Sequence, residues 1–288
     1  MKSLREIVAE FQKEKKALGH FNVSDSNQLE ALAQAAKETG LPVIAGLSEG
    51  EREFFPLSHA RSLVDDYIKE GIIMYLNADH TYSLEKVKAA IDAGVDSVVV
   101  DGAQLSYSDN VALTKASVAY AQAVGASTER DIIIEGELGY IGTSSKVLSA
   151  LPEGVQVTEE MMTKPQEAQR FVQETGIDML APAVGNVHGM VRGGDPKLSI
   201  ARIGEITAAA RVPLVLHGGS GNKEEEFKAA IAAGIAIIHI NTELRLTYHD
   251  ALSGSLKGDE TTPYKFLAPA VQDMKTFVAK RLRLFAGQ

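Results

Sequence analysis

Short runs of apolar and β-branched residues recur along the whole chain, and each gives way to a longer stretch in which Ala, Leu, Glu and Lys fall at helical spacing. Eight such runs stand out: ALGHFNV (17–23), PVIAGLS (42–48), IIMYLNA (72–78), SVVVDGA (97–103), DIIIEGELG (131–139), DMLAPAVG (178–185), VPLVLHGG (212–219) and IAIIHINT (235–242). They are nearly continuous in apolar character rather than alternating, as parallel strands covered by helices must be. The punctuation between them agrees. Gly40, Gly94 and Gly234 close helices ahead of the second, fourth and eighth runs. Ahead of the sixth, Thr163 with Gln166 three residues on has the form of a capping box, Pro165 sits in the first turn, and Gly176 ends the helix. Strand and helix units follow one another without a Pro/Ser-rich linker. This predicts an α/β chain forming one domain over residues 1–288, a single (β/α)8 TIM barrel rather than a doubly wound sheet.

Three segments fall outside the repeat. MKSLREIVAEFQKEKKALG at the N-terminus reads as an amphipathic charged helix, without the apolar run and cleavage site of a signal peptide. The connection after the fifth strand, from Tyr140 to about Thr163, is much longer than such loops need, and its GYIGTSS and LPEG segments mark it as an active-site lid. Val271, Met274, Val278 and Leu282 share one face of an extra C-terminal helix, from about Pro269 to Leu284, that packs on the barrel or on another subunit.

Composition narrows the function. Hydrophobic residues at 45% and charged residues at 23% fit a globular enzyme-sized fold and leave no stretch long enough to span a membrane, so the cytoplasm is the expected location. The net charge of −9 disfavours nucleic acid and anionic lipid as partners, and an anionic substrate would need a local pocket to overcome that field. Without cysteine, any metal falls to histidine and carboxylate.

In a barrel of this kind the C-terminal strand ends converge on one rim, where catalytic groups gather. Strand three ends in Asp79 and His80, strand four in Asp101, strand five in Glu135 and Glu137. Strand six ends at His188, strand seven at His217, and strand eight at His239, Asn241 and Thr242. One histidine at a strand end is ordinary. Three, His80, His188 and His217, can turn toward one point, and three neutral imidazoles with an open fourth position describe a catalytic zinc site. Gly185 and Gly189 would leave room for backbone and substrate to approach that metal. Asp79 cannot face the same way as His80 in extended chain, but a relaxed strand terminus lets both reach the cavity. It reads as a general acid/base or as an outer carboxylate. Asp101 and Glu137 read as orienting groups or as ligands of an alternative metal position. HGGSG (217–221), leading into a helix at Asn222, and the Asn241–Thr242 pair occupy the two loops that bind phosphate in many barrels, which makes Gly218, Gly219, Ser220, Asn241 and Thr242 candidate phosphate contacts, with Gly189 nearby. No lysine stands at a strand end, against a Schiff-base route.

With GHFNVS, NADHTYSLEKVKAAIDAGVDSVVVDGA, EGELG, TKPQEAQRFV, GNVHGM, VPLVLHGGSG and INTEL in order from about residue 17 to 244, the chain resembles the zinc-dependent class II ketose-bisphosphate aldolases, which cleave fructose or tagatose 1,6-bisphosphate. The resemblance implies that His80, His188 and His217 bind zinc, or cobalt or another divalent ion in its place, and that Asp79 donates the proton to the aldehyde-derived oxygen. It implies that Asp101 and Glu137 match carboxylates near a second metal position. Gly189, the Gly218–Ser220 loop and the segment from His239 to Thr242 would hold the dihydroxyacetone phosphate half, with Asn22 and Ser48 also in the substrate site. A monovalent cation, Na⁺ or K⁺, near the phosphate loops and a homodimer or homotetramer are implied as well. The reaction implied is reversible cleavage of fructose 1,6-bisphosphate to dihydroxyacetone phosphate and glyceraldehyde 3-phosphate through a zinc-stabilised enediolate. Three positions depart from the family pattern. The acid expected in the lid has only Glu153 as a counterpart, His239 stands in place of the usual asparagine, and Glu49 occupies a rim position where a smaller, uncharged residue is expected. Cleavage of tagatose bisphosphate, and lyase or isomerase work on another phosphosugar, are the alternatives; a barrel that binds a phosphosugar without turnover is a third.

Overall fold

Residues 1–142, 147–148, 158–191 and 197–288 are described by a computed structural model, the side chains of 147, 148 and 191 excepted. The barrel strands are β1 (Leu18–Asn22), β2 (Val43–Leu47), β3 (Met74–Thr81), β4 (Ser97–Val100), β5 (Ile133–Leu138), β7 (Met179–Pro182), β9 (Leu214–Leu216) and β10 (Ile235–Ile240). They pair in parallel into a closed barrel in chain order, β10 returning to β1, as the eight apolar runs predict. Two short strands, β6 (Val147–Leu148) and β8 (Met190–Val191), pair with each other outside it.

Inside the barrel, side chains two apart on each strand form inward rows that change character from bottom to top. Leu18, Ile44, Tyr75, Ile133, Met179, Val215 and Ile237 make an apolar floor. The N-terminal helix Leu4–Lys13 closes it from below with Leu4, Ile7 and Val8, and is started by the Ser3–Glu6 capping box. Arg5 pins this helix to Asp131 and Asp178 at 2.9 and 2.7 Å. One step above the floor the same rows carry His20, Asn77, Glu135, His217 and His239, and one step higher Asn22, Asp79 and Glu137, all buried. Outside, a larger apolar cluster bonds the strands to the surrounding helices through residues such as Leu32, Val64, Ile91, Phe171 and Phe227. Among the described residues no helix is long and apolar enough to cross a membrane.

Several local expectations change. Gly40 and Gly176 do end helices in the left-handed conformation, at φ 67° and 73°. Thr163, however, does not cap the helix Pro165–Thr175: its hydroxyl donates to the Leu138 carbonyl at 2.6 Å and accepts from the Ala183 amide at 2.9 Å, tying β5 to β7, and Lys164 occupies the cap position without a side-chain bond. The helix after the HGGSG loop begins at Glu224 instead of Asn222, whose amide folds back onto the carbonyls of Gly218 and Gly219. The C-terminal helix runs from Pro263 to Phe285: Pro263 occupies its first turn, and Pro269, expected near the start, falls within it. Met274, Val278 and Leu282 are buried as the spacing predicts, while Val271 is only half-buried.

Candidate functional site

The upper layers of the barrel open into a cavity of about 860 Å³. His80, His188, Gly189, His217, Gly218, Ser220, His239, Asn241 and Thr242 line it with Asn22, Ser48, Asp79 and Asp101, so most of the residues singled out in the sequence come together. Gln28, Glu51, Tyr82, Arg245 and His249 line it too and carried no local signal.

Three imidazoles meet. The ring centroids of His80 lie 4.8 Å from His188 and 4.9 Å from His217, with His188 and His217 5.9 Å apart, and one nitrogen from each falls within 4.8 Å of the others. Nitrogens at the usual zinc distance of ~2.1 Å stand about 3.4 Å apart around a tetrahedral ion, so the rings close on one ion by drawing together by up to about 1.4 Å. Their partners decide which atoms face inward. His80 Nδ1 is engaged by Asp101 at 2.8 Å and lies 3.4 Å from Glu137, leaving Nε2 for the cavity. His217 Nε2 is engaged by Glu135 at 2.7 Å, leaving Nδ1 buried with no hydrogen-bond partner. A carboxylate behind an imidazole, with the opposite nitrogen orphaned, is the arrangement of a metal-binding histidine and its outer support. Asp101 backs His80, while Glu137 Oε2 lies 3.4 Å from His80 Nδ1 and 3.8 Å from His217 Nδ1, and His80, Asp101 and Glu137 together also form a group able to hold an ion.

His20, Asp79 and His239 form a second compact group. His20 and His239 are direct register partners on β1 and β10, so their rings stack face to face at 3.5 Å and 6°. Two of its members are already engaged, His20 Nε2 by Asn77 at 3.0 Å and Asp79 Oδ2 by Asn22 at 2.9 Å. A metal is better served by the first three histidines.

Backbone geometry settles how Asp79 and His80 both reach the cavity. Asp79 follows Tyr75 and Asn77 on the inward row; His80 would point outward, but its φ is +35° and the β3–β4 register slips between Ala78 and Thr81. This left-handed residue costs of order 1–3 kcal/mol and swings the second side chain inward. His188, by contrast, is not at a strand end. β7 stops at Pro182, and His188 sits in the following loop, its amide bonded to the Ile141 carbonyl at 3.0 Å. Gly185 serves that loop rather than substrate approach: φ is 99°, and a Cβ there would meet the Lys197 carbonyl at 2.5 Å. The segments around Glu153 expected to form a lid lie outside the described residues; Gly142, ahead of them, lines the cavity.

Electrostatics follow from burial and neighbours. Burial pulls His217 down to about 3 and His239 down to about 4, and holds His188 well below its ordinary value, so these rings stay neutral. Burial also opposes charge on His80, but Asp79, Asp101 and Glu137 outweigh it and raise it well above the ordinary value. Asp79 shows the converse: burial would raise it, and His80 and His239 hold it well below the usual carboxylate range. Glu135 and Glu137 are pushed by burial up to about 7. A proton must therefore leave His80, and not all three rings, before an ion binds. Zinc affinity is expected to rise with pH by about one decade per pH unit around neutrality, not three; a competitive dye titration across that range measures the slope.

The departures have structural answers. Glu49 pairs with Lys86 and accepts the Tyr82 amide at 3.0 Å, bracing the exit of β3. Glu51 receives Asn22 Nδ2 at 2.9 Å and the Ser48 amide at 2.7 Å. His239 stacks between His20 and His217 and turns Nδ1 to within 3.5 Å of Asp79 Oδ1. His20, absent from the expected site, is fixed by Asn77 at 3.0 Å, which in turn donates to Ser97 at 2.8 Å. Its ring stands over Gly46, where a Cβ would fall 2.1 Å from Cε1. Gly46→Ala is expected to cost about 1–3 kcal/mol by overpacking, read as a lowered urea midpoint that His20→Ala in the same chain restores.

The phosphate candidates are brought together with one revision. The Gly219 amide is taken by the His239 carbonyl at 3.1 Å. Gly218, at φ 61°, packs where a Cβ would meet the Val187 carbonyl at 2.1 Å, joining this loop to that of His188. Ser220 Oγ accepts the Glu243 amide at 3.3 Å, at the start of the helix Thr242–Ser255, whose N-terminus faces the cavity.

A family profile described as fructose-bisphosphate aldolase class-II matches residues 2–288. Fructose-bisphosphate aldolases of Geobacillus stearothermophilus and of Staphylococcus aureus strain Mu50 are each 34% identical, covering 99% and 98% of this chain and 96% of their own lengths. The crystal structure of the YdjI aldolase of Escherichia coli K12 superposes with a TM-score of 0.82 at 26% identity, covering 99% of this chain and 97% of that one.

Proposed function

The chain belongs to the class II fructose-bisphosphate aldolase family, and from that premise we propose that it cleaves fructose 1,6-bisphosphate reversibly to dihydroxyacetone phosphate and glyceraldehyde 3-phosphate, with a divalent ion, zinc first, on His80, His188 and His217. The observation that carries this is the convergence of three imidazole nitrogens, one of them an orphaned buried Nδ1, beside a carboxylate and a helix N-terminus. When bound, the ion supplies the Lewis acidity that draws electron density from a substrate carbonyl.

The protein's own groups do the rest. Asp79 is ionised at neutral pH, so in the cleavage direction its Oδ1 accepts the proton of the substrate hydroxyl at the carbon that becomes the aldehyde; in synthesis it returns that proton. Asn22 holds the other oxygen, Oδ2, at 2.9 Å, and the His239 ring faces Oδ1. Glu135 and Asp101 keep His217 and His80 in the orientations that present one nitrogen each. Gly218 and Ser220 amides, unbonded to backbone among the described residues, join the first turn of Thr242–Ser255 in meeting the phosphate. The floor of apolar side chains shuts out water from below.

Retro-aldol cleavage of fructose and tagatose bisphosphates, with and without a chelator, tests the reading. Full turnover in metal-stripped protein would overturn it. His239 favours a second reading, lyase or isomerase work on another phosphosugar, because an imidazole against Asp79 presents different contacts from the asparagine expected there. A panel of sugar phosphates separates the two.

A further inference from the structure

The first turn of the helix that meets the phosphate carries an acid. Glu243 directly follows Thr242, and its own amide is bonded to Ser220 Oγ at 3.3 Å, so its backbone lies beside the cradle and its side chain starts within reach of it. A free carboxylate there would repel an anionic ester and undo much of what the helix N-terminus provides. Both carboxylate oxygens are instead turned onto Nη2 of Arg281, each at 2.9 Å. Arg281 comes from the C-terminal helix Pro263–Phe285 and is buried, its guanidinium 5.3 Å from the ring centroids of both Phe227 and Phe277. The pair thus links three helices under the cradle.

We propose that Arg281 is a positioning residue for phosphate binding: by neutralising Glu243 and holding it away from the cavity, it leaves the amides around Ser220 and Thr242 net attractive to a phosphate group. This rests on the reading of that loop as the phosphate cradle. It goes beyond that reading by making a residue of the terminal helix a determinant of substrate affinity.

Inorganic phosphate, titrated calorimetrically into the full-length, metal-loaded protein, is the probe. Arg281→Gln should weaken phosphate binding about tenfold at low salt, and adding Glu243→Gln in the same chain should recover it to within about twofold. Glu243→Gln alone leaves the guanidinium uncompensated and should tighten binding about threefold. Both effects should shrink as ionic strength approaches ~0.5 M, which a packing defect would not do. A double variant as weak as Arg281→Gln overturns the proposal, as does a Glu243→Gln variant with unchanged affinity; the latter decides the matter if Arg281→Gln does not fold. If the parent protein takes up no phosphate, the cradle reading falls and this inference with it. If the parent binds and the variants do not follow the charges, only the inference falls.

Discussion

Replacing His217 with alanine is expected to abolish both metal retention and turnover. Its Nδ1 is one of three nitrogens available to the ion, and it is buried without any other partner. Two histidines alone do not make a catalytic zinc site. The Lewis acidity lost with the ion is worth several kcal/mol, so kcat/KM should fall by about 10³-fold or more. The fold should survive, because Glu135, pushed by burial up to about 7, can remain in the interior as the neutral acid once its partner is gone. Elemental analysis beside a cleavage assay checks this, and stoichiometric zinc in His217→Ala would defeat the assignment. Glu135→Gln is the graded control: it removes only the outer support and should weaken zinc about 10–100-fold.

Asp79→Ala separates proton transfer from metal binding. Asp79 does not rank among the three nitrogens that face one another, and His80 is held in place by Asp101 on its far side. Metal content should therefore stay at the parent level while kcat falls about 10²–10⁴-fold, the usual worth of a positioned general acid/base. KM should move far less, since the proposed phosphate contacts lie in the loops after β9 and β10. The conservative Asp79→Asn keeps the size of the side chain and should lose turnover to the same extent, because an amide cannot carry the proton. Zinc loss equal to that of His217→Ala would instead make Asp79 a ligand, and turnover within tenfold of the parent would remove it from the chemistry.

The barrel itself was legible in the chain, since eight apolar runs separated by capped helices leave few ways to bury both faces of every strand. So was the gathering of His80, His217, Asp79 and the Ser220 loop at one cavity, because period-two spacing and position at a strand end are local properties. The same spacing held a signal not taken up: Leu18, His20 and Asn22 form one inward row, as do Tyr75, Asn77 and Asp79. Tertiary structure decided the rest. Only the β1–β10 register stacks His20 on His239, and only Gly46 on the neighbouring strand makes room for that ring. Only the left-handed backbone at His80 turns two consecutive side chains into one cavity. Thr163 looks like a helix cap until β5 and β7 are seen to compete for its hydroxyl. Arg281 and Glu243 look like ordinary surface charges of two helices until those helices pack side by side. The sequence by itself determined which faces are apolar and where polar groups end a strand, because those depend on near neighbours in the chain. Which distant groups share a hydrogen bond, an ion or a charge depends on register, backbone kinks and helix packing, which are fixed only when the whole barrel closes.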